Sequence, residues 1–223
     1  LMYPPDPTER NCFIGGTVAT NASGEKTFKY GPTRNYVLEL NIVLANGELL
    51  KLKRGELSAK GYTLKLITEN GSGVSLQLPE YTMPPTKNTS GYFAKQNMDA
   101  IDLFIGSEGT LGVITRIKLK LVDQPEKILS CVIFFNQEKD ALSFINKARD
   151  ISYQTRREKL KDSLDALALE FFDKNTLKFL MIDYPNIPRD AEAAVWFEQE
   201  VNSQNEELLL EEWMKLISEF NGD

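Results

Sequence analysis

Two Asn-Gly pairs, each set between runs of alternating apolar and polar residues, limit most sharply what this chain can fold into. VLELNIVLANGELLKLKRG (37–55) has strand-like runs on both sides of Asn46-Gly47, and YTLKLITENGSGVSLQLP (62–79) repeats the arrangement about Asn70-Gly71. Asn-Gly between alternating runs is the strongest short-range hairpin signal, because both residues tolerate the positive φ of a tight turn. A third alternating run, VITRIKLKL (113–121), leaves a small Gly-rich loop. Residues 1–122 are therefore expected to form one α+β unit with a mixed or antiparallel sheet, not a parallel Rossmann sheet. The Pro-rich residues 1–11 are expected to be extended. TVATNA (17–22) suits a short helix starting near Gly16, with Gly24 at its left-handed stop. A second helix is expected after Asn88, up to about Asp99.

The texture changes after VDQPEK (122–127), which reads as a linker. ILSCVIFFN (128–136) suits a strongly buried strand, and QEKDALSFINKARDI (137–151) spaces its apolar residues as a helix does. Further strand and helix material follows to EEWMKLISEF (211–220), broken by Pro185 and Pro188. A boundary near 122 would separate a mostly β part from an α+β part.

Composition excludes several classes of function. A net charge of −6 over 223 residues leaves no basic stripe to neutralise phosphates, so nucleic acid is not an expected partner. The short basic cluster KLKR (51–54) reads as a solvated strand edge. No apolar run approaches the length of a transmembrane segment. Cys12 and Cys131 lack a CxxC partner; buried free thiols of a reducing, cytoplasmic setting are one reading, and a Cys12–Cys131 disulfide the other. The chain has no histidine, which rules out within it a His-based triad, His metal ligands and a histidyl-linked cofactor. No metal site is expected. A start at Leu-Met-Tyr-Pro-Pro-Asp-Pro and a stop at EFNGD read as an excerpt of a longer protein.

Two glycine segments carry the chemistry. IGGTVATNASG (14–24) could be a helix whose glycines only permit close packing. Alternatively, its paired glycines leave uncapped N–H groups at a helix start, where the helix dipole favours an anion. GSEGTLGVIT (106–115) poses the same choice. Neither matches GxGxxG or GxxxxGK[ST], so the Rossmann and P-loop patterns are absent.

Taken together, the segments resemble a known family. NCFIGGTVATNASGEKTFKYGPTRNYVLELNIVLANGELL (11–50) is similar to the second half of the FAD-binding domain in the vanillyl-alcohol oxidase/p-cresol methylhydroxylase superfamily. KNTSGY (87–92) and DLFIGSEGTLGVITRIKLKL (102–121) narrow the resemblance to the FAD-linked oxidase branch of D-lactate dehydrogenases and the glycolate oxidase D-subunit. It covers residues 4–122. DALALEFFDKNTL (165–177) and YPNIPRDAEAAVWFE (184–198) resemble, more loosely, the opening of that branch's α/β cap, or substrate, domain.

The resemblance implies an α+β chain: residues 1–122 as the C-terminal subdomain of a PCMH-type FAD-binding domain, and 123–223 as the start of the cap. It implies FAD as cofactor, with Gly15, Gly16, Thr17, Ala19, Thr20, Asn21, Ala22 and Gly24 lining the pyrophosphate and flavin. Glu108, Gly109, Gly112, Val113 and Ile114 would lie beside the ribityl, diphosphate or adenine, and Pro5 and Asp6 where the chain crosses the cofactor. Gly112→Val would be expected to lower FAD occupancy with folding largely intact. Tyr30, Gly31 and Arg34 are expected to fix the fold. Lys87 and Asn88 either face substrate or cap the following helix.

The implied reaction is oxidation of a small 2-hydroxy acid, such as D-lactate or glycolate, by hydride transfer to the flavin. The alternative is a non-catalytic FAD-binding subunit of an oxidoreductase complex. The family's first FAD subdomain would precede Leu1, and its cap histidines would follow Asp223. The catalytic residues are therefore unknown from these residues, and this chain alone should retain little flavin. The remaining candidates read as structural. Glu170, on an apolar run, either reaches the cap's active-site face or, the favoured reading, is a solvated or paired acid, and Arg156, Arg157, Lys159 and Lys161 form a solvent-facing run. Asp162, Asp165 and Asp173 lack metal-ligand spacing. Phe134, Phe135, Phe171 and Phe172 are expected in the core.

Overall fold

The structure, a computed structural model, describes residues 1–9 and 11–223; Arg10, in the stretch expected to be extended, lies outside the described residues. The chain forms two compact units, Leu1–Gly24 with Gly31–Val122, and Glu25–Tyr30 with Asp123–Asp223.

The first unit opens with helix α1 (Ile14–Ala19); the next helix, α2 (Thr27–Tyr30), belongs to the second unit. A 3-10 turn at Thr33–Tyr36 leads into strands β1 (Val37–Val43), β2 (Leu49–Lys53), β3 (Thr63–Ile67) and β4 (Gly73–Gln77). Helix α3 (Ile101–Phe104) and strand β5 (Val113–Leu119) follow. Strand β1 lies between β2 and β5, antiparallel to both, while β3 and β4 form a separate hairpin. Both Asn-Gly pairs sit at hairpin turns. In each, the glycine N–H closes a turn to the carbonyl three residues back, Leu44 or Thr68, and the glycine itself takes a φ of +82°. The left-handed step after a type I turn makes these three-residue loops, which need positive φ at the glycine alone. Strand alternation then decides the core: Leu40 and Ile42 of β1, Leu50 and Leu52 of β2, and Leu64 and Leu66 of β3 point inward with α3.

The second unit is a three-stranded antiparallel sheet with β8 (Ala193–Val201) between β6 (Lys127–Phe135) and β7 (Ala166–Asp173). Helices α4 (Glu138–Glu158) and α6 (Glu206–Glu219) share one core with Val195 and Phe197 of β8. Ala194, one step out of phase, packs with Leu177 of α5 (Lys174–Leu180) in a second core. The period of two sends alternate β8 side chains to opposite faces. On α4, Ala141, Phe144, Ala148, Ser152 and Thr155 are buried, a stripe at helical spacing. Phe144 meets Phe135, Trp213 and Phe220 in one aromatic cluster.

The antiparallel α+β character agrees with expectation; several local readings do not. Helix α1 begins at Ile14 and ends at Ala19, with Asn21 rather than Gly24 in the left-handed region (φ +49°). No helix fills 88–99. Residues 97–100 instead bond to 57–61, through Asn97 N–H to Gly61 O, Ala59 N–H to Met98 O and Ala100 N–H to Leu57 O. Those partners use the groups a helix would need for itself. Strand β6 is a sheet edge, and Val132 is half exposed. Phe135 is fully buried, but Phe171 is exposed. Arg156 turns inward to Asp165 and two backbone carbonyls instead of facing solvent. Within KLKR, Lys51 and Lys53 are solvated while Arg54 reaches inward to Asp102. Both cysteines are free, and Cys12 is exposed rather than buried.

Candidate functional site

The two glycine segments, far apart in sequence, are joined in the first unit by direct backbone hydrogen bonds. Gly106 N–H donates to Val18 O at 3.0 Å, and Glu108 N–H to Ala19 O at 2.9 Å. Two left-handed, non-glycine residues flank this joint, Asn21 (φ +49°) and Glu108 (φ +52°). Such conformations persist only where the surroundings over-determine them. For Asn21 they do: its Oδ1 accepts from Arg34 N–H at 3.0 Å, and its own N–H donates to Val18 O.

Arg34 locks the joint from behind. Its Nη1 pairs with Asp102 at 3.1 Å and its Nη2 donates to Ile105 O at 2.6 Å, while its guanidinium lies 4.1 Å from the centroid of the Phe93 ring. Burial lowers the Arg34 pKa, and the Asp102 carboxylate opposes that shift. Asp102 also accepts from Arg54 at 2.9 Å, so one buried carboxylate serves two guanidinium groups. Tyr3 closes the other side, with its hydroxyl 2.8 Å from Thr33 Oγ1.

In front of the joint the surface is open. Gly15 and Gly16 lie in the first turn of α1, exposed, and a Cβ built on either meets nothing within 4 Å. Gly109 (φ +78°) is equally unobstructed. The first N–H groups of a helix have no intrahelical acceptor, and among the described residues no capping side chain serves them. Phe13 beside them is 86% exposed, and Val113 at the start of β5 is 63% exposed. Free donors with exposed apolar side chains suit a ligand that is part anionic and part flat and apolar, and FAD has that chemistry.

A cleft of about 200 Å³ extends the site, lined by Thr89, Gly91, Tyr92, Gly106, Ser107, Glu108 and Thr110. It brings KNTSGY beside GSEGT. Tyr92 Oη lies 2.7 Å from Thr110 Oγ1, which donates to Ser107 O. Sequence reasoning missed Tyr92, Ser107 and Thr110 as wall residues. Their signal was present, since all three are hydroxyl residues inside the quoted motifs. Asn88 has no helix to cap; its Oδ1 accepts from Ser90 N–H, and Lys87 is exposed on the same loop.

Two glycines of the expected set have structural work. A Cβ on Gly24 would lie 1.7 Å from Asp6 O, so this glycine lets the PPDP segment cross. That contact brings Asp6, and with it buried Pro5, against the end of IGGTVATNASG. A Cβ on Gly112 (φ +154°) would lie 2.7 Å from Ile42 Cγ2 and 2.8 Å from Val43 O. This crowding makes Gly112→Val a change expected to disturb folding, against the expectation that folding stays largely intact. Thr17 and Asn21 are buried, so their side chains support the joint from inside. Thr20, Glu108 and Val113 are exposed, and Ala19, Ala22 and Ile114 partly so.

Among the described residues no group of three or more His, Cys, Asp or Glu side chains gathers as a metal would require. Nor, among them, is any helix long and apolar enough to cross a membrane.

Comparison with known proteins gives this geometry its class. Residues 1–53 match the family described as "FAD binding domain". Solved alkyldihydroxyacetonephosphate synthase has the same fold, with a TM-score of 0.58 at 16% identity over 99% of this chain and 34% of that one. The class is that of α+β proteins with a PCMH-type FAD-binding fold. Two relatives are more particular. A D-lactate dehydrogenase of Anaerostipes hadrus is 36% identical over 145 residues, 65% of this chain and 23% of that protein. Glycolate oxidase subunit GlcD of Bacillus subtilis is 32% identical over 203 residues, 90% of this chain and 33% of that protein. In sequence the chain is similar to D-lactate dehydrogenases and glycolate oxidase D-subunits, and its first 53 residues carry the match to an FAD-binding domain. It spans 23% and 33% of the lengths of those two relatives.

Proposed function

We propose that this chain is part of an FAD-dependent oxidoreductase acting on a small 2-hydroxy acid, with D-lactate or glycolate as the leading substrates. The observation that carries this reading is the backbone joint between Val18–Ala19 and Gly106–Glu108, which sets two open glycine surfaces side by side. In this reading the α1 N–H groups at Gly15 and Gly16 face the cofactor diphosphate, and Thr17 to Ala22 hold that turn in place. Glu108 to Ile114 run along the cofactor, with Gly112 acting through its fit against β1. Bound FAD supplies the two-electron acceptor; this chain supplies orientation and electrostatics. Lys87, exposed beside the cleft-lining residues, offers a cation to the substrate carboxylate, and Asn88 offers an amide. The remaining cofactor contacts and the proton-abstracting group would come from residues outside this sequence, in a preceding subdomain and the rest of the cap.

Gly16→Ala in the full-length protein is the test. The added methyl has free space in the fold and should raise helix stability by roughly 0.5–1 kcal/mol. If the diphosphate lies there, the same methyl should weaken FAD binding by about tenfold or more, read by flavin fluorescence titration. Unchanged affinity would place the cofactor elsewhere.

A further inference from the structure

The second unit holds a piece of chain that the sequence sets inside the first. Glu25–Tyr30 are preceded by Gly24 and followed by Gly31, both in the first unit, yet they pack with Asp123–Asp223. Helix α2 in this excursion has four residues, none of them fully buried, far too short to be helical unaided. Its conformation must come from what it sits on.

The seat is specific. Lys29 Nζ lies 2.9 Å from Asp165 and 2.9 Å from Glu200, and the Tyr30 hydroxyl donates to the same Glu200. Arg156 completes the arrangement, with Nε 2.6 Å from Asp165 and Nη1 donating to Phe28 O at 2.7 Å. Its guanidinium lies 4.6 Å from the centroid of the Phe28 ring, and that ring packs against Tyr153 and the unit's core. Two cations thus meet two carboxylates, with side chains 17% to 24% exposed. At that burial a charge left without its partner is costly, so the set behaves as one lock. Both ends of the excursion are glycines at positions that disfavour a side chain, Gly24 by crowding against backbone and Gly31 by its positive φ. A Cβ on Gly24 would strike Asp6 O, and one on Gly31 (φ +78°) would strike Asn35 Nδ2 at 2.2 Å.

We infer that residues 25–30 are a hook, an intramolecular ligand whose docking site is formed by Tyr153, Arg156, Asp165 and Glu200 of the second unit. The partner this surface fits is a short segment with an aromatic, a lysine and a tyrosine in succession. The hook holds residues 123–223 to the rest of the chain even when the peptide connection at 123–126 is cut.

A specific protease site inserted at 123–126 of the whole chain tests this. After cleavage the two pieces should co-elute on size exclusion at low salt. Lys29→Met with Phe28→Ala, or 1 M salt, should weaken their association by about tenfold or more. Circular dichroism of the uncut variant checks its folding. A synthetic peptide spanning residues 23–32 tests the seat without any substitution: in excess, it should displace the first piece from the cut wild-type protein. Pieces that separate on cleavage with the hook intact would overturn the proposal. So would a double variant whose pieces hold as tightly as wild type, or a peptide that displaces nothing.

Discussion

The glycine joint of the first unit and the hook seat of the second both bring distant stretches of sequence together, and they do it by opposite means. The joint uses main-chain bonds, Gly106 N–H to Val18 O and Glu108 N–H to Ala19 O, and keeps Gly15, Gly16 and Gly109 bare in front. The seat uses long side chains, with Lys29, Arg156, Asp165 and Glu200 closing on one another. A region whose front is left open has to be held from its backbone and from behind. A region that only has to grip can spend its side chains on gripping.

That contrast predicts where substitutions hurt. The largest effect is expected at Gly112, where positive φ and the contact with β1 act together. Gly112→Val should cost about 3 kcal/mol or more in urea unfolding. A variant with wild-type stability would show that β1 does not close over this position. The next effect is at Arg34→Met, which removes one of the two guanidinium partners of buried Asp102 and should cost about 2–4 kcal/mol. Replacing Asp102 by Leu in the same variant should recover part of the loss. A double variant no better than the single would mean that Arg34 acts through Ile105 O and Phe93 instead.

The smallest effect lies in the second unit, at α5. Asp173 caps that helix by accepting from Thr176 N–H at 2.7 Å, and this bond holds its carboxyl below the ordinary 3.8. A depressed carboxyl pKa adds stability that is full above the unfolded value and is lost as pH falls through the folded one. Asp173→Asn keeps a capping acceptor but no longer titrates. The protection of α5 amides against exchange, taken relative to the intrinsic exchange rate at each pH, should therefore fall less on acidification in the variant than in wild type. Parallel acid profiles would remove Asp173 from the account.

Much of the first unit was legible because its signals are local. The hairpins at Asn46-Gly47 and Asn70-Gly71 followed from turn residues and strand alternation, and the buried set Leu40, Ile42, Leu50 and Leu52 keeps that period of two. The glycine motifs, read with the family resemblance, marked the stretches that the structure joins. Illegible were features whose partners lie far away. The helix expected after Asn88 yielded to bonds between 97–100 and 57–61. Arg156 looked like one more charge on a solvated face, since nothing near it in sequence announces Phe28 or its carbonyl.

The sequence by itself determined the α+β class, a mixed or antiparallel sheet in the first unit, the turn positions and the family resemblance, because periodicity, turn chemistry and motif are properties of neighbouring residues. Only the tertiary structure decided which glycines are bare and which are crowded, for Gly16 and Gly112 are the same letter in similar motifs. It also decided that Glu25–Tyr30 fold with the second unit. The reason is physical in both cases: a Cβ is allowed or forbidden, and a charge is paired or stranded, by atoms that close packing brings from elsewhere in the chain.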